Sequence, residues 1–91
     1  MTRLHLINKA PDHPRFGRCL ASLCAGDSLV LMENAVLAVA GDHGLPAENV
    51  MALADDLEAR GLAGADHGTV TAIAMPELVA LTETHASIIN W

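Results

Sequence analysis

From Gly26 to Gly41 the chain reads Gly-Asp-Ser-Leu-Val-Leu-Met-Glu-Asn-Ala-Val-Leu-Ala-Val-Ala-Gly. Leu29 to Met32 are apolar without a break, the pattern of a strand buried on both faces of a parallel sheet. Glu33 and Asn34 interrupt the run with polar atoms, and Asn34 is the expected N-cap of the next helix. Ala35 to Ala40 supply about two apolar helical turns, with Gly41 as the stop. A helix apolar on nearly every side leaves itself little surface, so something else must cover it.

The rest of the chain repeats this alternation. Leu4 to Ile7 read as a first strand, with His5 inside it. A loop over residues 8–14 brings Pro14 to the first turn of a helix. In that helix Phe16, Cys19, Leu20 and Leu23 recur at i, i+3, i+4 and i+7, an amphipathic stripe ended by Gly26-Asp27. After a turn over residues 42–48, Asn49 to Leu53 form a third strand. A short helix runs from Asp55 to Arg60, closed by Gly61. Beyond a loop from Gly64 to Gly68, Val70 to Ala74 form a fourth strand, Pro76 opens a helix to about Thr84, and Ser87 to Trp91 form a last strand. The order βαβαβαβαβ predicts an α/β domain with right-handed crossovers and a small, mainly parallel sheet of four to five strands.

Composition sharpens this picture in two ways. Residues 1–91 suit one domain. The chain is 52% hydrophobic but only 2% aromatic, and sixteen residues are alanine, so its core buries little area for its size. Such a domain gains from a partner, and an oligomer subunit is expected. Eleven acids face five basic residues, a net charge of −6, and the cations are scattered. Direct nucleic-acid contact is therefore not expected. No apolar run reaches the ~18–20 residues that span a bilayer, and the first residues do not read as a signal peptide. Two cysteines point to a reduced, cytoplasmic chain rather than a disulfide scaffold.

Candidate chemistry is sparse. Strand ends carry Asn8-Lys9, Glu33-Asn34, Asp55-Asp56 and Met75-Glu77, with no Gly-rich loop opening onto a helix. Asp55 and Asp56 suggest either a phospho-receiver or metal site, or simply acids favoured by the helix dipole, and the second reading is preferred. His5, His13, His43, His67 and His85 share no ligand spacing, so no metal or cofactor is expected. On an ideal helix Cys19 and Cys24 fall on opposite borders of the stripe, ~8.7 Å apart between Cα atoms, beyond disulfide reach. A border position would leave the Cys19 thiol partly accessible beside Arg18. Cys24 is expected to be a packing residue.

Several segments together resemble the DsrH/TusB family of small sulfur-relay subunits. Leu4-His5-Leu6-Ile7-Asn8-Lys9-Ala10-Pro11 looks like the family's opening, with Ala10 in place of its usual Ser. Gly26-Asp27-x-Leu29-Val30-Leu31-Met32-Glu33-Asn34 looks like its Gly-Asp strand motif, with Asn34-Ala35 where the family has an acidic residue and Gly. Asp56-Leu57-x-Ala59-Arg60-Gly61-Leu62 is similar to its most characteristic run, and the ending Leu78-Val79-x-Leu81-Thr82 with Trp91 is similar too. The resemblance implies a flavodoxin-like three-layer α/β/α fold. It also implies assembly with DsrE/TusD-like and DsrF/TusC-like sister subunits into a dimer of heterotrimers. That complex would pass persulfide sulfur to a DsrC/TusE-like carrier, for tRNA wobble-uridine 2-thiolation or for sulfur oxidation. The principal sulfur-accepting cysteine would lie on the DsrE/TusD-like partner. Cys19 matches a position where DsrH-type members carry a cysteine, which makes it a candidate secondary persulfide site and leans toward that branch. The competing reading is a free-standing persulfide carrier working through Cys19 alone.

Overall fold

The computed structural model describes residues 2–64 and 67–91, so the expected loop at Gly64 to Gly68 lies partly outside the described residues. Five strands, β1 (Arg3–Ile7), β2 (Ser28–Leu31), β3 (Val50–Leu53), β4 (Thr71–Ile73) and β5 (Ser87–Asn90), form one sheet in the order β4-β3-β2-β1-β5. Every pairing is parallel, with His5 beside Leu29 and Ile89, Leu29 beside Val50, and Ala52 beside Ala72. Helices α1 (Pro14–Ser22), α2 (Ala54–Ala59) and α3 (Met75–Thr84) and a 3₁₀ helix (Glu33–Ala40) make the connections. The result is the small flavodoxin-like three-layer α/β/α domain that the sequence implies.

The strand order decides how those layers are filled. From β1 to β4 each strand lies beside its predecessor in one direction, so right-handed crossovers put α1, the 3₁₀ helix and α2 on a single face. The return from β4 to β5 runs the other way and carries α3 to the opposite face. Burial obeys this division. Ile7, Leu29, Leu31, Val50 and Ala52 pack beneath Phe16, Cys19, Val36 and Leu57. On the other face Leu4, Val30, Leu53 and Ile73 meet Leu78 of α3, with Leu6, Met32 and Met51 only partly covered. Among the described residues, one face carries three helical segments and the other carries one.

The central Ala/Val segment departs from the expected α-helix. It is a 3₁₀ helix starting at Glu33, with Met32 as its N-cap and no side-chain capping bond, so Asn34 is not the cap. Gly41 ends it in extended backbone. Three residues per turn sort the side chains into rows. Ala35 and Ala38 are buried, Val36 is buried with Val39 half-covered, and Asn34, Leu37 and Ala40 all face outward. The segment is thus covered on two rows by its own domain, and only the third is left open. Small side chains let it lie close on the sheet.

The row assignment makes a test of one substitution at two sites. Ala38→Leu should destabilise the fold by about 1–3 kcal/mol through overpacking. Ala40→Leu should change stability by less than about 0.5 kcal/mol. Equal losses in urea denaturation would contradict the 3₁₀ register.

Candidate functional site

The polar centre of the domain is Asp27, at the head of β2. Its side chain is 1% exposed. Arg3 donates its main-chain N–H to Oδ1 at 3.0 Å, and Oδ2 accepts from Arg3 Nε at 3.2 Å, His5 Nε2 at 2.9 Å and the Cys24 main-chain N–H at 3.1 Å. Burial alone would raise this carboxyl, but the His5 bond, the two main-chain N–H groups and the Arg3 charge outweigh it. They hold Asp27 well below the usual carboxylate range.

This cluster also sets where α1 ends. Arg3 Nη2 donates to the Ser22 carbonyl at 2.8 Å, and Leu23 turns to extended backbone with ψ 133°. The helix therefore stops at Ser22, short of the Gly26-Asp27 end that the pattern suggests. Two expectations change as a consequence. Leu23 no longer shares the helical register, so the buried stripe centres on Phe16 and Cys19. Cys19 is 0% exposed, which corrects the border position expected for it, and burial pushes its thiol up to about 11. Cys24 lies outside the helix and is exposed, not a packing residue. Arg3 Nη2 contacts its sulfur at 3.2 Å. It borders an open cleft of about 440 Å³ between the end of α1 and the 46–49 segment.

Of the histidines that share no ligand spacing, His5 is a core residue. It is fully buried and paired at both ring nitrogens. Trp91 donates its indole N–H to His5 Nδ1 at 3.1 Å, with the two ring planes 14° from parallel and their centroids 6.1 Å apart. Indole can only donate, so Nδ1 accepts and Nε2 carries the proton given to Asp27. A polar residue inside a buried strand, matched by an acid just before the neighbouring strand, is the signal that reveals this pair in the sequence.

Asp56 and Arg60 have a local task. Glu33 is held at φ 50°, a left-handed conformation costing a side-chain-bearing residue about 1–3 kcal/mol. Asp56 Oδ2 accepts the Glu33 main-chain N–H at 2.8 Å. Arg60 donates from Nε and Nη2 to Asn34 Oδ1 at 3.2 and 3.0 Å, and its Nη1 lies 3.7 Å from Asp56 Oδ1. Past Arg60, Gly61 N–H reaches the Glu58 carbonyl and Leu62 N–H the Leu57 carbonyl, a Schellman close with Gly61 at φ 71°. The Asp56–Leu62 run and the Glu33-Asn34 turn are thus one unit. Asp55 stays exposed. Among the described residues, no three His, Cys, Asp or Glu side chains gather so as to hold a metal ion.

Comparison with known proteins agrees with this architecture. Residues 9–88 match the family model described as DsrH like protein. The chain is 36% identical to Protein TusB of Serratia proteamaculans and 37% identical to Protein TusB of Pectobacterium atrosepticum, in each case over 97% of this chain and 99% of that protein. The solution NMR structure of Protein Tm0979 from Thermotoga maritima superposes with a TM-score of 0.69 at 31% identity, covering 89% of this chain and 91% of that one. The ychN protein from E. coli, 18% identical, shares the fold over the full length of both chains with a TM-score of 0.78.

Two measurements test the site. A thiol reagent should modify Cys24 promptly in the native protein and Cys19 only on unfolding; equal rates would contradict the burial of Cys19. Asp27→Asn should cost about 3 kcal/mol near neutral pH, the scale for breaking a buried pair. Because the folded carboxyl is depressed, its contribution is complete above the unfolded value of about 4 and fades as pH falls toward the folded one. The stability gap between the two proteins should therefore hold above pH ~5 and narrow on acidification. A gap that widens instead would contradict the assignment.

Proposed function

Since the chain belongs to the DsrH family, we propose that it is a cytoplasmic subunit of a sulfur-relay complex, with a mainly structural role beside DsrE/TusD-like and DsrF/TusC-like sisters in a dimer of heterotrimers. The full-length family match carries this reading. The unequal layers support it. On the α3 face Met75 and Val79 are each 52% exposed and Ile88 42%. A largely apolar groove of about 300 Å³ lies there between Met51, Ile73 and Leu81. A sister subunit seated on this face would complete the core that α3 covers alone.

Sulfur transfer needs a thiolate that can reach a donor persulfide and then present its outer sulfur. Cys19 is buried, with its thiol pushed up to about 11, so the principal acceptor is better sought on a partner. Cys19 as a secondary persulfide site requires α1 to lift. The complex then hands its sulfur to a DsrC/TusE-like carrier, and no residue of this chain contacts tRNA. The TusB relatives favour tRNA wobble-uridine 2-thiolation as the end use. The cysteine at position 19 favours the second reading, sulfur oxidation.

Co-expression with both sisters should give a defined hetero-oligomer by light scattering, and Val79→Glu should weaken it while leaving the fold intact. A stable monomer that ignores both sisters would sink the proposal and leave the free-standing carrier. Mass spectrometry after persulfide treatment decides the role of the cysteine. An adduct of about 32 Da, one sulfur atom, on native Cys19 establishes the secondary site. Modification only after denaturation makes the chain purely structural. Loss of 2-thiouridine from tRNA in cells lacking the chain supports the first end use, and intact tRNA with lost sulfur oxidation supports the second.

A further inference from the structure

Trp91 follows β5, the strand at one edge of the sheet. Its main-chain N–H donates to the Leu6 carbonyl at 2.9 Å, continuing the β5–β1 ladder past Asn90, and its side chain packs against the cluster beneath α1. β1 and β5 pair side by side at this edge of the sheet, with Leu6 beside Asn90. Here a cavity of about 60 Å³ lies between Leu6, Asn8, Met32, Asn90 and Trp91. Lys9 Nζ donates to Asn8 Oδ1 at 2.7 Å and to the Trp91 main-chain oxygen at 3.2 Å.

The polar contact that fixes the indole, beyond its packing on the cluster, is one lone pair. Trp91 Nε1–H has one acceptor, His5 Nδ1, and that nitrogen can accept only while the imidazole is neutral. Protonation at Nδ1 would set N–H against N–H at 3.1 Å, where the neutral ring accepts. The other ring nitrogen is unaffected, since Nε2–H donates to Asp27 in either state. The remaining groups around His5 are identified. Asp27 lies at the head of β2, Arg3 reaches the same carboxylate from β1, and Lys9 after β1 holds the Trp91 main chain. From α1 and the turn beyond it come Cys19, a neutral buried thiol on the same face, and Cys24, whose main-chain N–H is on Asp27. β5 contributes Ile89. Asp27 is thus already neutralised by Arg3, and it offers a proton on His5 a partner without restoring the acceptor that Trp91 loses.

We infer that His5 and Trp91 form a proton-gated catch: neutral His5 holds the indole over the carboxyl ends of β1 and β5, and protonation of His5 releases it. Linkage fixes the sign. The docked state excludes the Nδ1 proton and the released state accepts it, so release is favoured as pH falls. The polar network from Trp91 through His5 and Asp27 to Arg3 stays in place on the Asp27 side, which makes this an opening at one edge of the sheet and not an unfolding of the domain. Opening uncovers the half-buried apolar side of the indole and the part of the cluster that it packs on. The inference stands on this geometry whether or not the chain serves a sulfur relay.

Trp91 is the sole tryptophan, so its emission and its indole Nε1–H resonance report on the catch without ambiguity. In the full chain, lowering the pH should move the emission to longer wavelength and shift the indole resonance in one single-proton step. That step should coincide with titration of the His5 ring nitrogens while the far-UV circular dichroism holds. His5→Gln keeps an acceptor for Trp91 and a donor for Asp27 without a titrating group, and should abolish the step. A Trp91 signal that stays flat until the protein unfolds, that changes only together with secondary structure, or that shifts without His5 titrating overturns the inference, as does an unchanged step in His5→Gln. Should that variant not fold, coincidence of the two resonances in the native chain decides alone.

Discussion

A buried carboxylate must be surrounded by donors or be neutralised, because leaving its charge unpaired away from water costs several kcal/mol. Asp27 meets that demand with donors from three separate places: the main chain and guanidinium of Arg3, the His5 ring on β1, and the Cys24 main chain after α1. Much else is a consequence. Arg3, held to Asp27, draws the Ser22 carbonyl and stops α1. The stop leaves Cys24 outside the helix, while Cys19 lies on its buried face. The bond from His5 to Asp27 leaves Nδ1 as the acceptor for Trp91. One ionised side chain thereby ties the first strand, the first helix and the segment after the last strand into a single arrangement.

The second constraint is topological. A strand order of β4-β3-β2-β1-β5 with right-handed crossovers commits three helical segments to one face and one to the other. On the well-covered face the 3₁₀ helix brings alanine rows close to the sheet, which suits a chain poor in aromatic residues. On the other face α3 covers only part of Leu6, Met32 and Met51. A domain built this way is incomplete on one side, and the reading as a subunit of a larger sulfur-relay assembly is the physical counterpart of that asymmetry.

Most of the architecture was legible because strand and helix leave different periods in the chain. The unbroken Leu29–Met32 run, the Phe16/Cys19 spacing, Pro76 at the start of α3 and Gly61 at the end of α2 each carry a local cause, and each lies where that cause puts it. What was not legible depends on distant partners. The alanine and valine run at 35–40 suits an α or a 3₁₀ helix equally, and the choice is made by packing on the sheet. Asn34 looks like a cap, yet it serves as the acceptor for Arg60, 26 residues away. Cys24 lies outside its expected environment because the end of α1 is set by Arg3 and Asp27, not by the residues of the helix, and Cys19 is buried beside Phe16 on the face that packs on the sheet. His5 gave no spacing signal, since its partners stand at 27 and 91.

The central claim is that Asp27 stays ionised inside the folded protein and that its donors keep it so. The carboxyl carbon shift of Asp27, followed by NMR through an acid titration with far-UV circular dichroism in parallel, addresses that claim directly. The account predicts no inflection in the ordinary aspartate range near pH 4 while the fold persists, the carboxyl taking up its proton only as the domain unfolds. An Asp27 that protonates in that ordinary range within an intact fold would contradict it.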